Sequence, residues 1–170
     1  MSRVAAVDPR SALGYRRLGE QAARDYRFED ASQFAKKATV LDADDPYAHF
    51  DLGLYLMRTG DEAGARVALE RSWALDKSAP VTKNLLDVLD RIDAFETVTA
   101  GDLVLKFAKG EAAVLKTYAV PLAEEAMKTF SSRYAFTPQG PIVIEVFPKH
   151  DDFAVRTMGL PGLVGALGAC

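Results

Sequence analysis

The sequence predicts an α+β protein in two parts: an all-α helical repeat array of about five helices, then a small, truncated α/β sheet domain. Two observations carry the first part. Leu18-Gly19 recurs thirty-four residues on as Leu52-Gly53, and its neighbours recur with it: Tyr15 with His49, Ala31 with Ala65, Ala38 with Ser72, Leu41-Asp42 with Leu75-Asp76. A fixed period of that size marks two-helix units that bury their apolar faces only by stacking. The third observation is a change of rhythm after Asp93, where helical spacing gives way to alternation. The array is expected over residues 1–93 and the sheet domain over 94–170.

Residues 12–45 form the first unit and 46–79 the second. In the second, Pro46 opens helix A, and Phe50, Leu52, Leu54, Leu56 and Met57 make it apolar on most sides, as a sandwiched helix requires. Thr59-Gly60-Asp61 supplies the turn, with glycine free to take the left-handed conformation that ends a helix. Ala65, Leu69, Ser72 and Leu75 form the inner stripe of helix B. Gly53, Ala65 and Ser72 sit where two backbones approach closely. A third period supplies one capping helix, residues 80–92, with Leu85, Leu86, Leu89 and Ile92 inside and Asp87, Asp90 and Arg91 outside.

This pattern resembles the tetratricopeptide repeat family. Leu18, Gly19, Ala22, Ala31 and Ala38 carry the likeness in the first unit, and Leu52, Gly53, Gly60, Ala65 and Leu75 in the second. Tyr26 replaces the turn glycine of the first unit, and Lys77 stands where the family usually has proline.

After Asp93, residues 95–99 and 103–107 read as strands joined by a turn at Ala100-Gly101-Asp102. Residues 111–134 are helical, with Leu115, Tyr118, Leu122, Ala126, Phe130 and Tyr134 close to one stripe. Pro121 must kink that helix or start a second one, and Glu124-Glu125 just beyond it favour a second start. Residues 142–147 read as a strand buried on both faces, and Asp151 or Asp152 as the cap of a short helix running to Met158. The segment 159–170, glycine-rich, apolar and uncharged, looks like chain that belongs inside a larger domain. The second part is therefore expected to be truncated.

Residues of about 95–170 are similar to the beginning of the peptidase MA-like domains of gluzincin metallopeptidases, which follow tetratricopeptide repeats in some bacterial proteins. The likeness lies in Gly140-Pro141-Ile142-Val143-Ile144-Glu145-Val146-Phe147-Pro148, in His150-Asp151-Asp152-Phe153 and in the Gly159–Gly168 segment. That family's chemistry needs H-E-x-x-H, two imidazoles on one metal and a glutamate to activate its water. This chain has no such motif, so no catalytic residue is carried over, and no cofactor is expected in this chain. The resemblance implies zinc in a longer parent.

Composition narrows the remaining classes. A net charge of −3, with Lys and Arg scattered among acids, argues against a nucleic-acid surface. Cys170 is the only cysteine and is not placed for prenylation. No stretch reaches transmembrane length and the N-terminus lacks a signal peptide's apolar core, so no membrane partner is expected and cytoplasm is the default address. His150-Asp151-Asp152 reads as a metal corner or as a polar strand-to-helix junction, and His49 as a packed ring. Glu124-Glu125 reads as a solvated first turn, since neighbours on a helix point about 100° apart. The glycines at 159, 162, 165 and 168 lack the Lys-Ser/Thr of a phosphate loop.

The expected activity is therefore binding, on the face that helices A would line. The tetratricopeptide resemblance implies that this concave face takes Leu13, Arg16, Glu20 and Arg24 from the first unit. The second unit gives Tyr47, Phe50, Leu54, Met57 and Arg58, and the capping helix gives Val81, Asn84, Val88 and Arg91. Family members that clamp a peptide's terminal carboxylate need asparagine where Glu20 and Leu54 stand. An apolar groove edged by arginines instead suits a helix or an extended segment. The expected partner is a protein or peptide segment, including the parent's own downstream domain. A homodimer through the apolar segment 159–170 is a further expectation. A complete two-domain adaptor is the alternative to a fragment of a peptidase.

Overall fold

The computed structural model describes residues 9–138, 140–162 and 165–169. Among them are seven helices and one three-stranded sheet, an α-rich α+β arrangement. The chain divides into two compact units, residues 1–89 and 90–170.

The first unit holds α1 (Ala12–Arg24), α2 (Phe28–Leu41), α3 (Pro46–Thr59), α4 (Glu62–Leu75) and most of α5 (Pro80–Ile92). The starts of α1, α3 and α5, at 12, 46 and 80, recur at thirty-four positions, as do those of α2 and α4 at 28 and 62. Three of these helices, α1, α3 and α4, begin on a side-chain cap. Ser11 Oγ accepts from the Gly14 amide at 3.0 Å, Asp45 from Tyr47 at 2.9 Å and Asp61 from Gly64 at 2.9 Å, which satisfies amide donors that a helix start leaves orphaned. The inter-repeat turns are also copies: the Asp42 carboxylate accepts from the Asp44 amide, and the Asp76 carboxylate from the Ser78 amide.

Packing in this unit rests on small residues. Ala22, Ala31, Ala35, Ala38, Ala48 and Ala65 are all fully buried, so backbones approach where larger side chains would hold them apart. The intra-repeat turns differ in one respect. Gly60 ends α3 at φ 83°, while its counterpart Tyr26 takes φ 58° with a β-carbon that disfavours it. Tyr26 lies edge-on to Phe28 at 6.0 Å between ring centroids, a contact glycine could not make.

In the second unit, β1 (Glu96–Ala100) and β2 (Leu103–Phe107) form a hairpin that pairs Ala100 with Leu103. The turn is thus Gly101-Asp102, with Gly101 at φ 57°, one residue shorter than the spacing predicted. The strand β3 (Ile142–Val146) lies parallel to β2, Leu105 facing Ile144, in the order β1-β2-β3. Leu103, Leu105 and Phe107 form the core with Ile142, Ile144 and Val146, under the helix α6 (Ala112–Tyr134). The short helix α7 (His150–Met158) ends the unit.

Four expectations fail here. First, α6 runs unbroken through Pro121. Ala112, Leu115 and Ala119 before the proline and Ala123 and Met127 after it pack on one cluster, which keeps both halves in one helix instead of starting a second despite the lost hydrogen bond. Second, Tyr118, Leu122, Phe130 and Tyr134 are not its inner stripe but are more than half exposed. Steps of four drift by about 40° each, and a helix of 23 residues is about 35 Å long over strands of about 17 Å, so much of it outruns the sheet. Third, β3 is an edge strand, with Val143 44% exposed. Fourth, neither Asp151 nor Asp152 caps α7, whose N-cap is Lys149; Asp152 is buried and pairs with Arg91.

The end of α6 gives a stability test. Ala135 takes φ 49°, ψ 41°, a left-handed C-cap that suits glycine. Ala135→Gly is expected to raise stability by about 0.5–1 kcal/mol, less than the full left-handed penalty because glycine loses more entropy on folding. Urea unfolding checks this, and an unchanged or lower midpoint would count against the strained cap.

Candidate functional site

Three helix ends meet in the first unit. Pro46 at the first position of α3 and the Asp45 cap set the entry of that helix, and Tyr47 and Phe50 follow one turn apart. Ser72 and Asp76 close α4, and Pro80, Val81 and Thr82 open α5. Between them lies an open cleft of about 230 Å3, walled mainly by Pro46, Tyr47, Phe50, Ala79 and Val81. Tyr47 is 59% exposed, so the cleft presents an aromatic ring to solvent.

An ion cluster holds one wall. Arg16 Nε donates to Asp51 at 2.9 Å, its Nη1 to Asp45 at 3.4 Å, and the guanidinium carbon sits 5.2 Å from the Tyr47 ring centroid. One cation thus ties α1 to α3 and backs the tyrosine, as cation–π geometry allows. Burial pushes the Asp51 carboxyl up, the Arg16 hydrogen bond opposes it, and the Asp45 charge adds to the rise. Glu20 bridges Arg17 at 2.8 Å and Arg24 at 2.6 Å, and the Arg17 hydrogen bond is the main cause holding its carboxyl below the ordinary range.

Beneath this cluster Tyr55, 5% exposed, packs with Ala22, Ala31 and Ala35. Burial first, then the Asp51 and Glu20 charges, push its hydroxyl up to about 12. The folded state therefore keeps the proton between about pH 10 and 12, where the unfolded chain loses it, so stability falls across that window. The loss is expected to be roughly 1–2 kcal/mol and absent from Tyr55→Phe. Urea unfolding at stepped alkaline pH, with the phenolate absorbance read alongside, tests this; equal pH slopes for the two proteins would contradict it.

The residues assigned by repeat geometry divide. Tyr47, Phe50 and Val81 come together at the cleft, with Arg16 behind them. Glu20 and Arg24 pair on α1, Leu54 packs partly buried against the Tyr55 cluster, Arg58 is exposed near the end of α3, and Asn84 is half-buried on α5. Met57 and Val88 are corrected: at 2% and 0% exposed they belong to the packing, because helices flanked by neighbours bury more than one face. Arg91 falls in the second unit, where it pairs with Asp152.

Asp45, Asp51, Asp76 and Pro80 were not assigned to the face. Asp76 carries a signal, since Leu75-Asp76 repeats Leu41-Asp42, and Pro80 repeats Pro46. Asp51 carries a weaker one, standing one period and one residue beyond Arg16.

Other candidates are placed as follows. The two histidines lie in different units, and the Nε2 of each lies 3.0 Å from a backbone carbonyl oxygen, that of His49 from Ala43 and that of His150 from Ala166. Among the described residues no group of three or more His, Cys, Asp or Glu is placed to hold a metal ion. Glu124 and Glu125 are exposed. The glycine segment includes Leu163 and Val164, and the lone thiol is Cys170; these three lie outside the described residues. In the second unit Glu145 receives Arg156 at 2.8 Å and lies 3.9 Å from Lys106, a half-buried cluster whose charges answer one another. No described helix is long and apolar enough to cross a membrane. No protein-family model matches this chain. No curated protein matches it either.

Proposed function

We propose that this chain is a tetratricopeptide-like interaction scaffold whose cleft among α3, α4 and α5 takes a protein or peptide segment. The single observation that supports it most is the apolar wall of exposed Tyr47 and half-buried Phe50 and Val81 at the junction of helices whose starts recur at thirty-four residues. A fixed, mostly apolar concavity with few polar groups is what a side-chain anchor needs, and aromatic walls concentrate binding energy.

The sheet unit fits the role of the opening part of a gluzincin-like domain, with zinc and its ligands supplied by a longer parent. In that setting the occupant of the cleft is the parent's downstream domain or a separate partner. Leu160 and Leu167, described residues of the segment 159–170, are 50% and 97% exposed and offer apolar surface through which two copies would associate.

The cleft is tested by panning a displayed library of random twelve-residue peptides and measuring the enriched ones by fluorescence anisotropy. Phe50→Ala is expected to weaken them tenfold or more, about 1.4 kcal/mol. Enriched peptides that bind equally well to Phe50→Ala and Tyr47→Ala would overturn the assignment.

A further inference from the structure

Resting on that reading of the cleft, we infer that its occupant carries a large apolar side chain next to a lysine or arginine. The apolar group sits against Tyr47, Phe50 and Val81, and the cation pairs with the Asp76 carboxylate. The cleft's size favours a side chain over a whole small molecule, since 230 Å3 falls below the roughly 300 Å3 at which small-molecule pockets begin. Its polar lining is sparse. Ser72 and Thr82 are buried at 2% and 1% exposed, and Asp76 is the one ionisable acid or base in the wall apart from the Tyr47 phenol.

The state of Asp76 points to a cation. The Ser78 amide and hydroxyl donate to the same oxygen, Oδ1, at 2.9 and 2.7 Å. Those bonds hold the carboxyl below the ordinary range, so it is charged at neutral pH. Among the described residues nothing donates to Oδ2, which leaves that oxygen as an acceptor on a residue that borders the cleft. Asp76 also caps the C-terminus of α4, whose last turn holds no basic residue, so the negative end of that helix adds to its charge.

Two effects oppose this and are weaker. The N-termini of α3 and α5 border the cleft with partial positive charge, but that of α3 is answered by Asp45. Of the nearby cations, Arg16 is engaged by Asp51 and Asp45, and the ammonium of Lys77, next to Asp76, sits 5.1 Å from the Trp73 ring centroid. What remains is an apolar seat whose one ionised lining side chain is Asp76.

Labelled ten-residue peptides, alike except for a central Leu-Lys, Leu-Glu or Ser-Lys pair, test this by fluorescence anisotropy. Leu-Lys is expected to bind about tenfold tighter than either of the others. Asp76→Asn should abolish the preference for Lys over Glu while keeping that for Leu over Ser. Asp76→Glu should retain both, which separates charge from damage to the turn. Raising the salt from 50 to 500 mM should shrink only the first preference. If Leu peptides bind but Lys and Glu are not distinguished, or if Asp76→Asn leaves the preference intact, the cationic requirement is overturned and the cleft assignment stands. If no peptide binds, or if Leu and Ser bind alike, both fall.

Discussion

Replacing Gly53 by alanine is expected to destabilise the helical unit by about 2 kcal/mol, although alanine is the better helix former by about 1 kcal/mol. The reason is space. A β-carbon at Gly53 would lie 2.6 Å from Leu69 Cγ, 2.9 Å from Leu69 Cδ2 and 3.2 Å from the Ala65 carbonyl oxygen. Leu69 is fully buried, and Ala65 contributes backbone, so neither can yield without moving α4 away from α3. The equivalent position, Gly19, differs in degree: its nearest neighbours would be the Ala31 carbonyl oxygen at 3.2 Å and Tyr55 Cε2 at 3.3 Å. There the propensity gain offsets the crowding, and Gly19→Ala is expected to stay within about 0.5 kcal/mol of the parent. Trp73, the single tryptophan, lies on α4 and reports the transition by its fluorescence in urea. A Gly53→Ala midpoint equal to that of Gly19→Ala would contradict the close approach of α3 and α4.

The second large effect is expected at Phe107. Its ring is fully buried on β2 with Leu103 and Leu105, beneath Ala112 and Ala123 of α6. Phe107→Ala removes the largest side chain of a small core and leaves a cavity, at a cost of about 3–5 kcal/mol. A loss of that size approaches the whole stability of an ordinary domain, about 5 kcal/mol at its lower end. Amide hydrogen exchange at Leu105 and Ile144, central in the parallel β2–β3 pair, should lose most of its protection. Full protection retained in the variant would show that the sheet does not depend on this core. Tyr118→Ala on the exposed flank of the same helix is the control and should change little, since its ring is 73% exposed.

The helical half was readable because its signals are local and doubled. A period of thirty-four in the residues becomes a period of thirty-four in helix starts, and the starts of α1, α3 and α4 carry side-chain caps while those of α3 and α5 carry a proline. The sheet half was less readable because its signals depend on partners. Pro121 looks like a helix start until one sees that Ala112 and Met127 pack on the same cluster. The run from Ile142 to Phe147 looks like a central strand, but strand order places β3 at the edge, and Glu145 gathers Lys106 and Arg156 on one face of it. The cleft fell between these cases. Tyr47 and Phe50 lie on the face that the repeat resemblance implies, whereas Arg16 pairing with Asp51 requires knowing how two helices face each other.

The central claim is that the junction of α3, α4 and α5 is the binding face. Titrating the isotopically labelled chain with the central Leu-Lys peptide and following amide shifts tests it most directly. The expected result is a saturable set of shifts at Tyr47, Phe50, Asp76 and Val81, with residues along the exposed flank of α6 unmoved. Shifts confined to Tyr118, Leu122, Phe130 and Tyr134, with the cleft residues silent, would contradict it.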